Sequence, residues 1–271
     1  MEAGKEYIYQ TDIIGKTKVH STESDYKIGI RNKVVYKGRD KETDLYRFEI
    51  TELSYDLEQY EDPLIVQITE MTNKVCSIYK ILDIGVDKNG NITKIFNRDF
   101  IREEWAKVKE WLLNAHPLEA YDIIRAKEFE LLDEEKEIRS IRYIYFLYQY
   151  FYIFGKRPTN DSKNYLQEEE MDRFGSGVII PVSFSLAEEM ESDNNVWHLD
   201  GRMIRHEDAI RRLREFSKDQ YMHPEYKLKA KYIYNNLVLL HSDFTLTEEL
   251  GEFFYYHCFM STHLETEQEN A

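Results

Sequence analysis

The chain changes its hydrophobic period twice, and the changes divide it into three parts. Over residues 5–98 apolar side chains recur at every second position, the pattern of half-buried strands. Tyr26, Ile28 and Ile30 share one parity against Lys27, Gly29 and Arg31, and Tyr46, Phe48 and Ile50 alternate with Arg47 and Glu49. The next apolar set, Leu53, Tyr55 and Leu57, has switched parity. One extra residue near Thr51-Glu52, a bulge, would keep all of them on one buried face. A bend or bulge is expected at Ile13-Ile14-Gly15, bends that turn the chain at Arg31-Asn32-Lys33 and residues 37–40, and a short strand over 64–68 after Pro63. Asp87-Lys88-Asn89-Gly90-Asn91, set between two apolar runs, reads as a hairpin turn. It lacks the spaced acceptors and terminal glutamate of a calcium loop.

From residue 99 to 155 the period becomes helical. Asn97 or Asp99 is placed to cap a helix with a Trp105, Val108 and Leu112 stripe, which Ala115-His116-Pro117 ends. A second helix is expected over about 118–132, with Tyr121, Ile124 and Glu128 on one face. A third begins at about Glu134. Its stripe of Ile138, Ile141, Tyr145, Tyr148 and Tyr152 broadens after residue 142 until nearly every side is apolar. Eight of the twelve residues from 143 to 154 are Tyr or Phe, so this helix demands cover on several faces. Its apolar stretch is well short of the ~20 residues that cross a membrane. Gly155, Lys156, Arg157 and Pro158 supply a stop signal.

Residues 157–177 read as loop, with the four acids of 167–172 expected on a solvated surface. Strand character returns over 178–263, interrupted by a helix near 207–216 whose apolar side is Ala209, Ile210, Leu213 and Phe216. Residues 264–271 read as a flexible tail. Short turns between successive strands, with little strand–helix–strand alternation, favour antiparallel pairing. The expected fold is α+β: a curved, mainly antiparallel sheet or half-barrel packed around a helical layer with one central aromatic helix. It forms one integrated domain over residues 1–263.

Charge and composition narrow the chemistry. The formal charge of −15, from 51 acidic against 36 basic residues, argues against general nucleic-acid binding. Two cysteines are too few for a disulfide scaffold or a zinc module. The opening residues are too polar for a signal peptide, which points to the cytoplasm. No nucleotide loop, nucleophile elbow or zinc-protease motif occurs, so neither an enzyme activity nor a cofactor is expected.

Three groups of residues stand out as candidate sites. Tyr145, Tyr148 and Tyr152 are placed to line a ligand cavity. Arg205, Arg211, Arg212 and Arg214 form the densest basic cluster of the chain, suited to carboxylate or phosphate partners. His198, Asp200 and His206 can be drawn as a weak metal set. The 21 tyrosines suit surfaces that are apolar on one side and wet on the other. Two functions follow from these features. The first is a non-enzymatic interaction or assembly protein, of immunity, chaperone or secretion-accessory type, with a protein partner or a homo-oligomer. The alternative is a carrier of a small hydrophobic ligand or lipid held between sheet and aromatic helix.

Overall fold

The two strand-rich parts of the chain join edge to edge in one sheet. The computed structural model describes residues 1–58, 63–152, 165–191, 193–235 and 238–268. In it β1 (Glu6–Val19), β2 (Thr22–Arg39), β3 (Tyr46–Glu58), β4 (Ile81–Val86) and β5 (Ile92–Ile95) form one antiparallel meander. The strands β6 (Tyr165–Met171), β7 (Ile179–Glu191), β8 (Asn194–Met203), β9 (Pro224–Asn235), β10 (Val238–Leu250) and β11 (Phe254–Gln268) form the other. Pairing of β1 with β11 fuses them into an open sheet of 11 strands, with β5 and β6 at its edges. The last strand passes the expected end of the ordered chain at His263 and continues to Gln268, paired with Glu6. Residues 269–271 of the expected tail lie outside the described residues.

Parity assigns the faces. Tyr7, Tyr9, Thr11 and Ile13 of β1, Ile28, Ile30, Asn32 and Val34 of β2, and Tyr226, Leu228, Ala230 and Tyr232 of β9 are buried on the inner face. Their neighbours Asp12, Lys27, Arg31, Lys227 and Lys229 face outward. The bulge foreseen from the parity switch exists one residue further on. Arg31 lies opposite Ser54 and Asn32 opposite Glu52, which leaves Leu53 as the extra, exposed residue.

Two of the expected bends do not form. Gly15 lies inside β1 because the Tyr26 ring covers it: an added Cβ would sit 1.9 Å from Tyr26 Cζ. Gly201 serves the Phe184 ring in the same way, at 2.3 Å. Arg31-Asn32-Lys33 is mid-strand, with Asn32 buried on the inner face. At residues 37–40 the strand runs on to Arg39, and the irregularity is a register shift at Gly38, whose φ of 93° suits glycine.

The run after Pro63 is not a strand but the helix α1 (Pro63–Cys76). Short apolar runs do not distinguish the two by themselves, and Leu64, Ile68, Met71 and Val75 recur with helical spacing. Proline at the first helical position loses no needed hydrogen bond. A single 3-10 turn (Ser77–Tyr79) leads into β4. The β4–β5 hairpin closes as expected, with Gly90 at φ 84° and Asp87 Oδ1 accepting from the amides of Asn89 and Asn91.

The helical layer is α2 (Arg98–Ala115), α3 (Ala120–Leu131), α4 (Glu134–Ile141) and α5 (Tyr145–Tyr152); α6 (Glu207–Ser217) packs separately, against β7 and β10. Asn97 stands at the α2 cap, but its amide crosslinks β4 instead, accepting from Asp83 N and donating to Ile81 O. The expected third helix starts at Glu134, capped by Asp133, and then divides. Tyr143 and Ile144 make tighter bonds, to the carbonyls of Ser140 and Ile141, before α5 begins. The two halves bury different things: α4 packs on α3 and β5, whereas every residue from Phe146 to Tyr152 is buried. The stop signal at Gly155, Lys156, Arg157 and Pro158 lies outside the described residues.

Gln149 fixes α5 at the middle of the sheet. Its Nε2 donates to Ser242 Oγ at 2.9 Å and to the carbonyls of Ser242 and Met260. Its Oε1 accepts from Thr262 Oγ1 at 2.6 Å, and Thr262 in turn bonds Thr11 at 2.7 Å. A satisfied polar network of this kind specifies one seating of an otherwise apolar helix.

The acids of 167–172 also depart from expectation. They are not a solvated loop but β6 and its exit, and Glu170 and Asp172 are buried.

Candidate functional site

The largely aromatic α5 leaves room on the side facing the N-terminal meander. A cleft of about 280 Å³ opens there, walled by Tyr36, Tyr46, Phe48 and Val86 from the strands and by Tyr150 and Phe151 from α5. The rings pack as a set: Tyr36 and Phe48 lie 5.3 Å apart, and Phe48 meets Phe151 edge-on at 5.5 Å. Met1 closes one side, with the Tyr150 hydroxyl 3.6 Å from its Sδ. Asp87 and Lys88, on the β4–β5 turn, supply the charged lining. Tyr46 is exposed at the mouth.

A second, smaller cavity of about 120 Å³ touches the same Gly90 and Phe151. Asn91 and Ile92, at the start of β5, line it together with Glu168, Glu169 and Glu170 of β6. A flat sheet of eleven strands would hold its edges roughly 50 Å apart. Here both edges reach one cavity, so the sheet curls around α5 and the helix occupies the gap.

The three candidate tyrosines separate across this interior. Tyr148 and Tyr152 border the smaller cavity, and their hydroxyls donate to the Glu170 carboxylate at 3.1 and 2.8 Å. Tyr145 lies instead among Tyr26, Tyr256 and Cys258, where burial pushes its phenol up to about 12. Tyr36, Tyr46 and Phe48 were missed in the sequence because they alternate like ordinary core positions of two strands, and Tyr150 and Phe151 because they sit among the many apolar positions of one helix.

A buried charged cluster was missed as well. The Arg173 guanidinium lies between two rings, 5.0 Å from that of Tyr143 and 4.9 Å from that of Tyr148, with Glu170 at 3.9 Å. Glu248, fully buried on β10, accepts from the Arg173 amide at 2.9 Å. Desolvation pushes the Glu248 carboxyl up to about 8, so it is mostly protonated at neutral pH. Only its i, i+2 position among Phe244, Leu246 and Leu250, an acid on an apolar parity, could have marked it in the sequence.

The remaining candidates fall on opposite sides of the sheet. His198 and Asp200 face outward in a broad concavity with Lys229, Lys231 and Asp243. His198 is 3.8 Å from Glu189, and Asp200 accepts from Arg202. His206 is absent from that concavity; it caps α6, its Nδ1 accepting from Ala209 N at 3.4 Å. Among the described residues no three His, Cys, Asp or Glu side chains converge to hold a metal. Arg205, Arg211 and Arg214 line a single groove along α6, and Ile210, expected in the core, lines it too. Arg212 turns away toward the Gly177 carbonyl. Among the described residues no helix is long and apolar enough to cross a membrane.

No family model and no curated protein sequence matches the chain. Among solved structures, the chain is similar to one described as "Lipid-protein interactions in lipovitellin". The TM-score is 0.49 and the identity 8%, over 100% of this chain and 26% of that one. The chain thus spans about a quarter of that neighbour's length.

Proposed function

We propose that the chain binds a small hydrophobic molecule in the aromatic cleft between its N-terminal strands and α5, and acts as its carrier. The observation that carries this reading is the cleft itself: six aliphatic or aromatic walls, an open mouth at Tyr46, and charge confined to the hairpin turn. Binding sites for small molecules have this composition, an apolar lining with a few placed polar groups. At about 280 Å³ the cleft lies near the small end of such sites, so a single acyl chain or a ring compound fits and a two-chain phospholipid does not. Fluorescence titration with an apolar naphthyl dye, displaced by a medium-chain fatty acid, tests it. Saturable one-to-one binding is expected, weakened about tenfold by Tyr46→Ala, which removes a wall but little of the core. Binding that never saturates, or that ignores Tyr46→Ala and Phe48→Ala alike, rejects the site.

A second reading, docking of a protein partner or a second copy, is favoured by one surface. Leu118, Tyr121, Phe129 and Leu132 fall along one side of α3 and its ends, with 91%, 72%, 61% and 81% of their surface exposed. Clustered exposure of this kind marks interaction surfaces more than isolated apolar residues do.

A further inference from the structure

The groove along α6 is unlike the rest of this acidic chain. It is an open groove of about 960 Å³ between α6 and the start of β9, and four cations, Arg205, Arg211, Arg214 and Lys218, line it with two acids, Glu207 and Glu215. With Asp208, which pairs with Arg211, four cations stand against three acids, a surplus of one positive charge where the whole chain carries −15. Arg211 is already committed, to Asp208 and, at 3.0 Å, to Glu215. One guanidinium shared by two carboxylates leaves that trio with one negative charge in excess. Arg214 donates through Nε to the Met222 carbonyl at 3.0 Å, which anchors the guanidinium at the groove wall. The side chains of Arg205 and Lys218 have no hydrogen-bond or ion-pair partner among the described residues. Lys218 is held at the helix end by a left-handed backbone, φ 57°. Met203, Ile210 and Pro224 add apolar surface to the lining.

We infer that this groove binds a phosphate monoester, its dianionic head held by Arg205, Arg214 and Lys218 and its organic part resting on Met203, Ile210 and Pro224. A phosphate monoester carries about −1.5 to −2 charges at neutral pH, a charge suited to Arg205, Arg214 and Lys218, none of which pairs with a carboxylate among the described residues. The fork of an arginine guanidinium meets two phosphate oxygens at once. The volume is that of a site for a small organic molecule. Extended nucleic acid is disfavoured, because a polyanion leaving the groove would run along a surface that is acidic overall.

Calorimetric titration of the full chain with phenyl phosphate and with inorganic phosphate tests the assignment, run beside flotation with phosphatidic acid vesicles. Phenyl phosphate should bind one per chain and more tightly than inorganic phosphate. Arg205→Ala combined with Lys218→Ala should weaken it at least about tenfold, since both charge-assisted contacts are lost. The thermal midpoint should stay within about a degree, as neither side chain is part of the packing. Ile210→Ala should reduce the preference for the phenyl ester and leave inorganic phosphate unaffected. Vesicle binding that needs Arg205 and Lys218, with no response to the free ester, assigns the same phosphate chemistry to a lipid headgroup. The inference is overturned by absence of binding to all three, by affinity unchanged in the double variant, or by retention of single-stranded RNA in preference to phenyl phosphate.

Discussion

Replacing Glu248 with glutamine should make the protein more stable, and only above a definite pH. Glu248 points inward from β10 with no exposed surface, between Tyr226 on β9 and Tyr256 on β11 in the register of the sheet. One carboxyl oxygen accepts from Arg173 N; the other has no partner among the described residues. Burial raises the group from its ordinary 4.5 to about 8. Between those values the folded chain keeps a proton that the unfolded chain has released. Stability therefore falls as pH rises through this window, by about 1.4 kcal/mol per unit. The contribution is fully present below pH 4.5 and fully lost above pH 8. Over the whole span that amounts to a ceiling of about 5 kcal/mol, a third or more of the stability of a typical domain. Glutamine keeps the acceptor for Arg173 N and does not titrate. Urea unfolding of both proteins at pH 5, 6, 7, 8 and 9 should give curves that nearly coincide at pH 5. At pH 9 the Glu248→Gln variant should be the more stable by several kcal/mol. Parallel pH profiles for the two proteins would refute the assignment of the buried charge to Glu248.

Other consequences of the packing are accessible to the same unfolding assay. Gln149→Leu should cost about 2–4 kcal/mol, because Ser242 and Thr262 lose the partner that seats α5, whereas a smaller apolar cost would mean the network is idle. Gly201→Ala should cost about 1–3 kcal/mol through the Phe184 ring, while Gly29→Ala, whose new methyl has ordinary clearance of 3.4 Å, should change stability by less than about 0.5 kcal/mol. If the α3 surface joins copies of the chain, Leu118→Asp with Leu132→Asp should abolish any dimer seen by sedimentation and leave the unfolding midpoint where it was.

How much of this was legible in the sequence depended on whether neighbours in the chain or neighbours in space decided each feature. Period-two alternation located most of the strands, and the parity switch at Leu53 located a bulge to within a residue or two. The hairpin at Asn89-Gly90 follows from local backbone preference alone. The break between α4 and α5 does not. It arises because Ile138 and Ile141 pack on the helical layer and Phe146 to Tyr152 lie within the sheet, a division made by tertiary contacts. The acids of β6 misled for the same reason: Glu170 is tolerable in the interior because Tyr148 and Tyr152, eighteen or more residues earlier, donate to it and Arg173 lies beside it. Gly15 resembled a bend until the ring of Tyr26, on the next strand, accounted for it. Among the candidate sites, the arginine cluster kept three of its four members in one groove, since one helix and its flanks supply them. The tyrosine and histidine sets dispersed, because helical or strand spacing says which face a residue occupies and not what lies across from it.

The most direct test of the account is to photolabel the protein with an apolar diazirine-bearing fatty acid and map the adducts by peptide mass spectrometry. Labelling confined to peptides carrying Tyr36, Tyr46, Phe48, Tyr150 and Phe151, and suppressed by excess unlabelled fatty acid, is the expected result. Adducts concentrated on residues 118–132, or spread over the surface and insensitive to competition, would contradict it.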